Sequence, residues 1–163
     1  MKNKKYILPV LFIIAVIALD QIVKYWAVEK LFPLGTIPLI EDVFHLTYAE
    51  NTGMAFSMFS GQRWPLVIIS SIAIIAIIVM LFKNYFETEL GRWAAYFIIA
   101  GAIGNLIDRI RYGFVVDLFD FRLINFAIFN VADTFVCIGG GLFILYVILL
   151  LRKEKKDRDS SEG

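Results

Sequence analysis

Four apolar runs, each close to the length that crosses a bilayer, constrain this chain more than any other feature of its sequence. They cover about residues 6–23, 64–82, 93–107 and 134–151, and a membrane-spanning helix needs roughly 20 such residues. Hydrophobic residues make up 60% of the 163 positions, whereas roughly half is usual in soluble proteins. The sequence therefore predicts an α-helical integral membrane protein with four transmembrane helices.

Basic residues at the ends of these runs indicate their orientation. Lysines precede the first run, Lys83 and Arg92 flank the short second connection, and further lysines and arginines follow the fourth run. Cationic flanks stay on the cytoplasmic side, so we expect both termini inside and the two longer connections, residues 29–63 and 108–133, outside. The first run could also be a cleaved secretory signal, but no small-x-small cleavage site follows it. We interpret it as a retained helix.

The chain length leaves room for one domain, residues 1–151, followed by a charged tail, residues 152–163, that we expect to be disordered and cytoplasmic. In the outer connection at about 29–63, prolines and glycines surround short β-favouring stretches, which predicts a small extracytoplasmic β-subdomain. The outer connection at about 110–130 is aromatic and apolar with sparse charges. This composition predicts an interfacial loop or amphipathic helix that gates the outer face.

Polar and ionisable residues cluster toward the outer ends of the predicted helices. Several share a helix face through i,i+3 or i,i+4 spacing. Ionisable groups at membrane depth are energetically costly, so we treat them as candidates for a functional site. The alternative is that they are interfacial groups that reach water and steady the helix ends. The cluster consists of Asp20 and Lys24, of Asn105, Asp108 and Arg109, of Asp117, and of Asn130 and Asp133.

The residue types narrow the chemistry that such a cluster can perform. The only histidine, His45, lies in the predicted sheet, which disfavours a serine–histidine mechanism. No His-Glu-x-x-His motif is present for catalytic zinc, and Cys137 lies in an apolar run where a thiol is inert. Paired aspartates remain, and these can activate a water molecule without metal or cofactor. Buried aspartates could equally serve as relays in a small proton-coupled transporter or channel, and a scaffold without chemistry fits the polar groups poorly.

Five segments, in this order, resemble the signature blocks of the lipoprotein signal peptidases, which are type II signal peptidases. They are DQIVK at 20–24, NTGMAF at 51–56, GAIGNLIDR at 101–109, VVD at 115–117 and FNVAD at 129–133. Small departures occur at Ala127, where many members have proline, and at Thr134, where serine is commoner.

The resemblance implies an aspartic endopeptidase of the bacterial cytoplasmic (inner) membrane, with its active site near the outer face. It would remove the signal peptide of prolipoproteins just before the diacylglyceryl-modified cysteine. The implied partners are lipidated prolipoproteins, membrane lipid and globomycin-like cyclic peptide inhibitors, and we expect a monomer with no cofactor, metal or nucleic acid. The catalytic pair maps onto Asp117 and Asp133. The positions that bind substrate or brace the site map onto Asp20, Lys24, Asn51, Gly53, Asn105, Asp108, Arg109 and Asn130.

Local sequence agrees with this choice of catalytic pair. Asp20 has Lys24 one helical turn away and Asp108 has Arg109 beside it, and a neighbouring cation keeps a carboxylate ionised. Asp117 and Asp133 are set among apolar residues instead, an environment that lets two carboxyl groups share one proton.

Overall fold

The computed structural model describes residues 4–53 and 60–161, with side chains from residue 6 onward. Within these ranges, four helices are long and apolar enough to cross a membrane. They are α1 (Lys4–Trp26), α2 (Arg63–Phe82), α3 (Glu89–Arg111) and α4 (Val131–Ser161). A small three-stranded sheet accompanies them. The predicted fold class, four transmembrane helices with a small β-subdomain, is confirmed.

The third helix is longer than its apolar run. It has 23 residues, begins after Thr88, whose hydroxyl accepts a hydrogen bond from the Gly91 amide, and continues through the polar residues at 105–109. Hydropathy marks its end too early because α3 packs against α1, α2 and α4, so its polar side chains are enclosed by protein rather than lipid. Close packing depends on small residues: a Cβ at Gly139 would lie 2.7 Å from Ile98 Cγ1 on α3.

The sheet contains strands from both outer connections. β1 (Thr36–Ile40) and β2 (Phe44–Asn51) come from the first, and β3 (Val115–Phe121) comes from the second. All pairings are antiparallel, in the order β1-β2-β3. The expectation of a loop or amphipathic helix is therefore wrong for residues 115–121, which form the strand β3. A short 3-10 helix, Arg122–Ile124, and a loop connect this strand to α4. β-Branched and aromatic residues in β3 suit a strand, and β2 supplies the hydrogen-bonding edge that local sequence does not reveal.

A small apolar core fixes the sheet to the helices. α1 continues into a π-helical turn, Ala27–Leu31, and its two buried residues pack against Val116 and Leu118 of β3. Burying a leucine or valine side chain contributes roughly 1.5–3 kcal/mol. This core holds β3 against the end of the first helix.

The helix ends fall into two groups. Arg63 at the start of α2 donates to the carbonyl of Ile110 near the end of α3, and the Ala132 amide at the start of α4 donates to Asp20 near the end of α1. The sheet and the polar cluster thus share one end of the bundle. The start of α1, the 83–88 connection and the charged end of α4 lie at the opposite end.

Two sequence expectations concern residues near or outside the described ranges. The tail expected to be disordered continues α4 as far as Ser161. Its lysines, arginines and glutamate are good helix formers, and opposite charges at i,i+4, such as Glu154 and Arg158, favour a helix. Residues 162–163, and residues 54–56 of the second signature block, lie outside the described part of the chain.

Candidate active site

Lys24 forms the charged centre of the site. Its Nζ lies 2.9 Å from Asp20 Oδ2 and 3.0 Å from Asp108 Oδ2, and it donates to Asn105 Oδ1 at 2.9 Å. Its side chain is 4% exposed and those of both aspartates are 1% exposed, so this is a desolvated cation with three satisfied contacts. Sequence proximity suggested Arg109 as the cation beside Asp108. The structure places Lys24 there instead.

The two aspartates around Lys24 also fix backbone positions. Asp20 Oδ1 accepts from the Ala132 amide of α4 at 2.9 Å, and Asp108 Oδ2 accepts from the Val116 amide of β3 at 3.1 Å. A Cβ at Gly104 would lie only 2.7 Å from Asp20 Oδ2, so a glycine is needed for this approach. These bonds attach both the start of α4 and β3 to the charged centre.

Asn130 connects the two aspartates of the expected catalytic pair. Its Nδ2 donates to Asp117 Oδ1 at 2.6 Å, and its backbone amide donates to Asp133 Oδ2 at 3.2 Å. In return, the Asp133 amide donates to Asn130 Oδ1 at 2.8 Å. This reciprocal arrangement is a capping box, which fixes the first turn of a helix. It holds the Asp133 carboxylate at the start of α4, and Asn130 connects this carboxylate to Asp117 near the start of β3.

Asn105 joins this pair to the charged centre. Its Nδ2 donates to Asp133 Oδ1 at 2.7 Å, while its Oδ1 accepts from both Lys24 and Asn130, at 2.9 and 3.1 Å. An amide with both polar atoms committed in this way has a fixed orientation. Asn105 therefore aims its donor at Asp133.

Asp117 lies on β3 and is 2% exposed. Burial is the main cause that raises the pKa of its carboxyl group from the usual 3.8 to about 7, and the negative charge of Asp133 contributes to this rise. Hydrogen bonds from Asn51 and Asn130 act in the opposite direction. The Asp117 carboxyl is consequently able to hold a proton near neutral pH.

Arg109 and the first outer connection complete the site. Arg109 Nη2 donates to the Gly53 carbonyl at 2.8 Å, the Gly53 amide donates to Asn51 Oδ1 at 3.0 Å, and Asn51 Nδ2 donates to Asp117 Oδ2 at 3.0 Å. This chain of contacts links α3 to Asp117 through the last residue of β2 and the segment that follows it.

All ten residues singled out from sequence thus lie in one continuous polar network. Gln21 also belongs to it, although sequence reasoning assigned it no role: its Nε2 donates to Asp108 Oδ1 at 3.0 Å and lies 3.3 Å from Asp20 Oδ2. Its i,i+3 spacing from Lys24 and its place in the first signature block were the available signals.

Other reactive side chains lie elsewhere. His45 is buried in β2, opposite Asp120 of β3, and its Nδ1 is 3.4 Å from the Thr36 hydroxyl. Cys137 is exposed on the surface of α4. Over residues 4–53 and 60–161, no three histidine, cysteine or acidic side chains are grouped to hold a metal ion.

Comparison with known proteins identifies the family. The family described as "Signal peptidase (SPase) II" matches residues 12–149, which is most of the chain. This chain belongs to the signal peptidase II family. It is accordingly a multi-pass membrane protease of the lipoprotein signal peptidase kind.

Individual relatives agree with this assignment. The chain is 43% identical to the lipoprotein signal peptidase of Clostridioides difficile, over 91% of this chain and 99% of the relative. It is 41% identical to that of Streptococcus thermophilus, over 93% and 96%. Two solved structures of bacterial membrane enzymes share the fold. One has a TM-score of 0.78 at 30% identity, covering 91% of this chain and 90% of the other, and the second has a TM-score of 0.75 at 31% identity, covering 85% and 91%.

Proposed function

We propose that this protease is an aspartic endopeptidase in which Asp117 and Asp133 form the catalytic pair. It removes signal peptides from prolipoproteins by cutting before the diacylglyceryl-modified cysteine. The observation that carries the proposal is Asn130, which donates one hydrogen bond to each of the two carboxyl groups. One fixed residue thereby holds two acids side by side, as a shared-proton mechanism requires.

The surroundings of the two acids differ, and this difference supports separate roles for them. Asp133 lies in the first turn of α4 and accepts from the backbone amide of Asn130, and helix N-termini favour negative charge. Asp117 is buried in the sheet, with its pKa raised to about 7. In this mechanism the ionised Asp133 takes a proton from the attacking water, and the protonated Asp117 polarises the scissile carbonyl.

The remaining network residues position this pair. Lys24 balances part of the negative charge of Asp20 and Asp108. These two carboxylates therefore repel the negative charge of the catalytic pair less than they would without the lysine. Asn51 and Asn105 each aim an amide donor at one catalytic acid. Arg109 donates to the Gly53 carbonyl. The Gly53 amide in turn donates to Asn51, so Arg109 also helps to position Asn51.

The charge pattern supports placing both termini in the cytoplasm and the catalytic end at the outer face of the bacterial cytoplasmic membrane. A lipid-bearing substrate then reaches the aspartates laterally from the bilayer. Exposed apolar residues beside the sheet, such as Leu123, Ile124 and Phe126, suit contact with lipid at that entrance. Residues 1–151 form one catalytic domain, which acts as a monomer, and a globomycin-like cyclic peptide occupies the same apolar entrance.

Cleavage of a purified, lipidated prolipoprotein by the reconstituted protein tests the proposal. Wild-type protein cuts the substrate, and a saturating globomycin-like peptide blocks the reaction. Asp117→Asn and Asp133→Asn reach the membrane at normal levels yet leave the substrate uncut, and the double variant is no worse than either single one because the pair acts as a unit. Asp42→Asn, on the exposed turn between β1 and β2, serves as the matched control.

The same preparation distinguishes the alternative of a proton-coupled transporter. That alternative requires proton flux across the vesicle membrane and no cleavage. Substantial turnover by either single asparagine variant, with loss of turnover in a folded Asp20→Asn or Asp108→Asn protein, would contradict the assignment of the pair.

A further inference from the structure

A cavity of about 240 Å³ opens at the end of the bundle opposite the aspartates. It lies between the start of α3 and the last apolar turns of α4. Its walls are apolar and its rim is polar. The walls consist of Leu90, Tyr146, Leu149 and Leu150, and the rim consists of Glu87, Thr88 and Lys153.

The α4 side of the cavity is a single helix face. Tyr146, Leu149, Leu150 and Lys153 follow i, i+3, i+4, i+7 spacing, so they lie above one another along the helix. Tyr146 is buried against Phe86, and its hydroxyl accepts from the Glu87 amide at 3.4 Å. The floor of the cavity is thus held in place by the protein's own contacts rather than by a ligand.

The two rim charges are opposite in sign. Among the side chains that the structure describes, neither Glu87 nor Lys153 has an ion-pair partner within 4.0 Å. Lys153 comes two residues after the last apolar residue of α4, Leu151, and Glu87 precedes the first turn of α3. Both charges therefore stand where the apolar part of the bundle meets the polar headgroup region.

The size of the cavity limits what it can hold. Pockets that enclose a whole drug-sized ligand measure roughly 300–1,000 Å³, and this cavity is smaller and open. It suits one part of a longer molecule whose remainder lies in the bilayer. An apolar wall with a charge of each sign at the water end matches an acyl chain joined to a zwitterionic headgroup.

We propose that this cavity binds a membrane phospholipid whose headgroup carries a primary ammonium, such as phosphatidylethanolamine. Lys153 binds the phosphate, Glu87 accepts hydrogen bonds from the ammonium, and one acyl chain lies against Leu90, Leu149 and Leu150. A purely anionic headgroup leaves Glu87 facing negative charge. A choline headgroup has a quaternary ammonium, which cannot donate a hydrogen bond to Glu87.

Native mass spectrometry of the full chain, released from detergent with added lipid, tests the proposal. Phosphatidylethanolamine, phosphatidylcholine and phosphatidylglycerol with identical acyl chains are titrated separately. We expect phosphatidylethanolamine to be retained most strongly, by roughly twofold to fivefold, since exposed charge pairs contribute modestly. Glu87→Gln keeps an acceptor oxygen but removes the charge that strengthens the hydrogen bond, so it should reduce the preference over phosphatidylcholine. Lys153→Ala should weaken retention of all three lipids, because each has a phosphate.

Matched controls come from the same exposed stretch of α4. Glu154→Gln and Lys155→Ala change the same kinds of charge but lie outside the cavity lining, and should leave lipid retention unchanged. Leu149→Trp, which fills the cavity from its exposed wall, should lower retention of every lipid. Equal retention of the three lipids by the wild type, or equal effects of the cavity and control variants, would overturn the proposal. Neither result bears on cleavage, since none of these residues belongs to the catalytic network.

Discussion

Replacing Lys24 by methionine removes the cation at the centre of the site while keeping a side chain of similar length. In the folded protein Nζ is within 3.0 Å of two carboxylates and one amide oxygen, and almost no solvent reaches them. The variant leaves Asp20 and Asp108 as uncompensated buried charges. We expect a large loss of stability for this reason, beyond the loss of the lysine contacts themselves.

Removing one partner of a buried ion pair costs about 3–5 kcal/mol. For a chain of this size each kcal/mol shifts the melting temperature by roughly 2–4 °C, so Lys24→Met should melt roughly 6–20 °C below the wild type. Adding Asp20→Asn and Asp108→Asn neutralises the stranded carboxylates and should restore part of the loss, because a buried pair replaced by neutral groups of similar size often costs little.

Thermal unfolding of the purified protein in detergent, followed by circular dichroism, measures both effects. Lys30→Met is the matched control, since Lys30 is exposed and has no ion-pair partner within 4.0 Å among the described residues. A Lys24→Met protein that melts within about 3 °C of the wild type would refute the view of this centre as a desolvated charge cluster. So would a triple variant that melts lower than the single one.

Three further predictions concern the catalytic pair, Arg109 and the membrane topology. Because the pKa of Asp117 is about 7, cleavage should fall about tenfold per pH unit above that value as the required proton leaves. Between about pH 3.8 and pH 7 the folded chain keeps the proton of Asp117, whereas the unfolded chain releases it. The contribution of Asp117 to the free energy of unfolding therefore declines as pH rises through this range. A cleavage rate that stays level from pH 7 to pH 9 would contradict the role of Asp117 as the protonated member of the pair. Arg109→Lys should lose roughly tenfold or more in cleavage with little change in melting temperature, since the shorter lysine side chain does not bring its donor as far as Nη2, which binds the Gly53 carbonyl. Near-normal turnover would show that the contact is dispensable. In a Cys137→Ser background, an impermeant thiol reagent added outside should label a cysteine at exposed Glu41 and not one at exposed Thr88, and the reverse pattern would invert the topology.

The sequence by itself determined the membrane architecture and the candidate residues of the site. Apolar runs of spanning length leave a chain few folds other than a helical bundle, because unpaired backbone groups are too costly in lipid. The aspartates and basic residues were identifiable because ionisable groups at membrane depth need a reason to be there, whereas Asn51 and Gly53 were named only through the family resemblance. Their helical spacing gave correct neighbours within one helix, as for Asp20 and Lys24.

Contacts between elements were decided only by the tertiary structure. Spacing along the chain cannot show that Lys24 rather than adjacent Arg109 pairs with Asp108, because the bond joins α1 to α3. Nor does composition show that the second connection supplies β3, since a strand depends on a partner edge far away in sequence. The pairing of Ala132 with Asp20 spans 112 residues. Such contacts form because a buried polar group without a hydrogen-bond partner is costly. The partners available to it depend on how the four helices pack together.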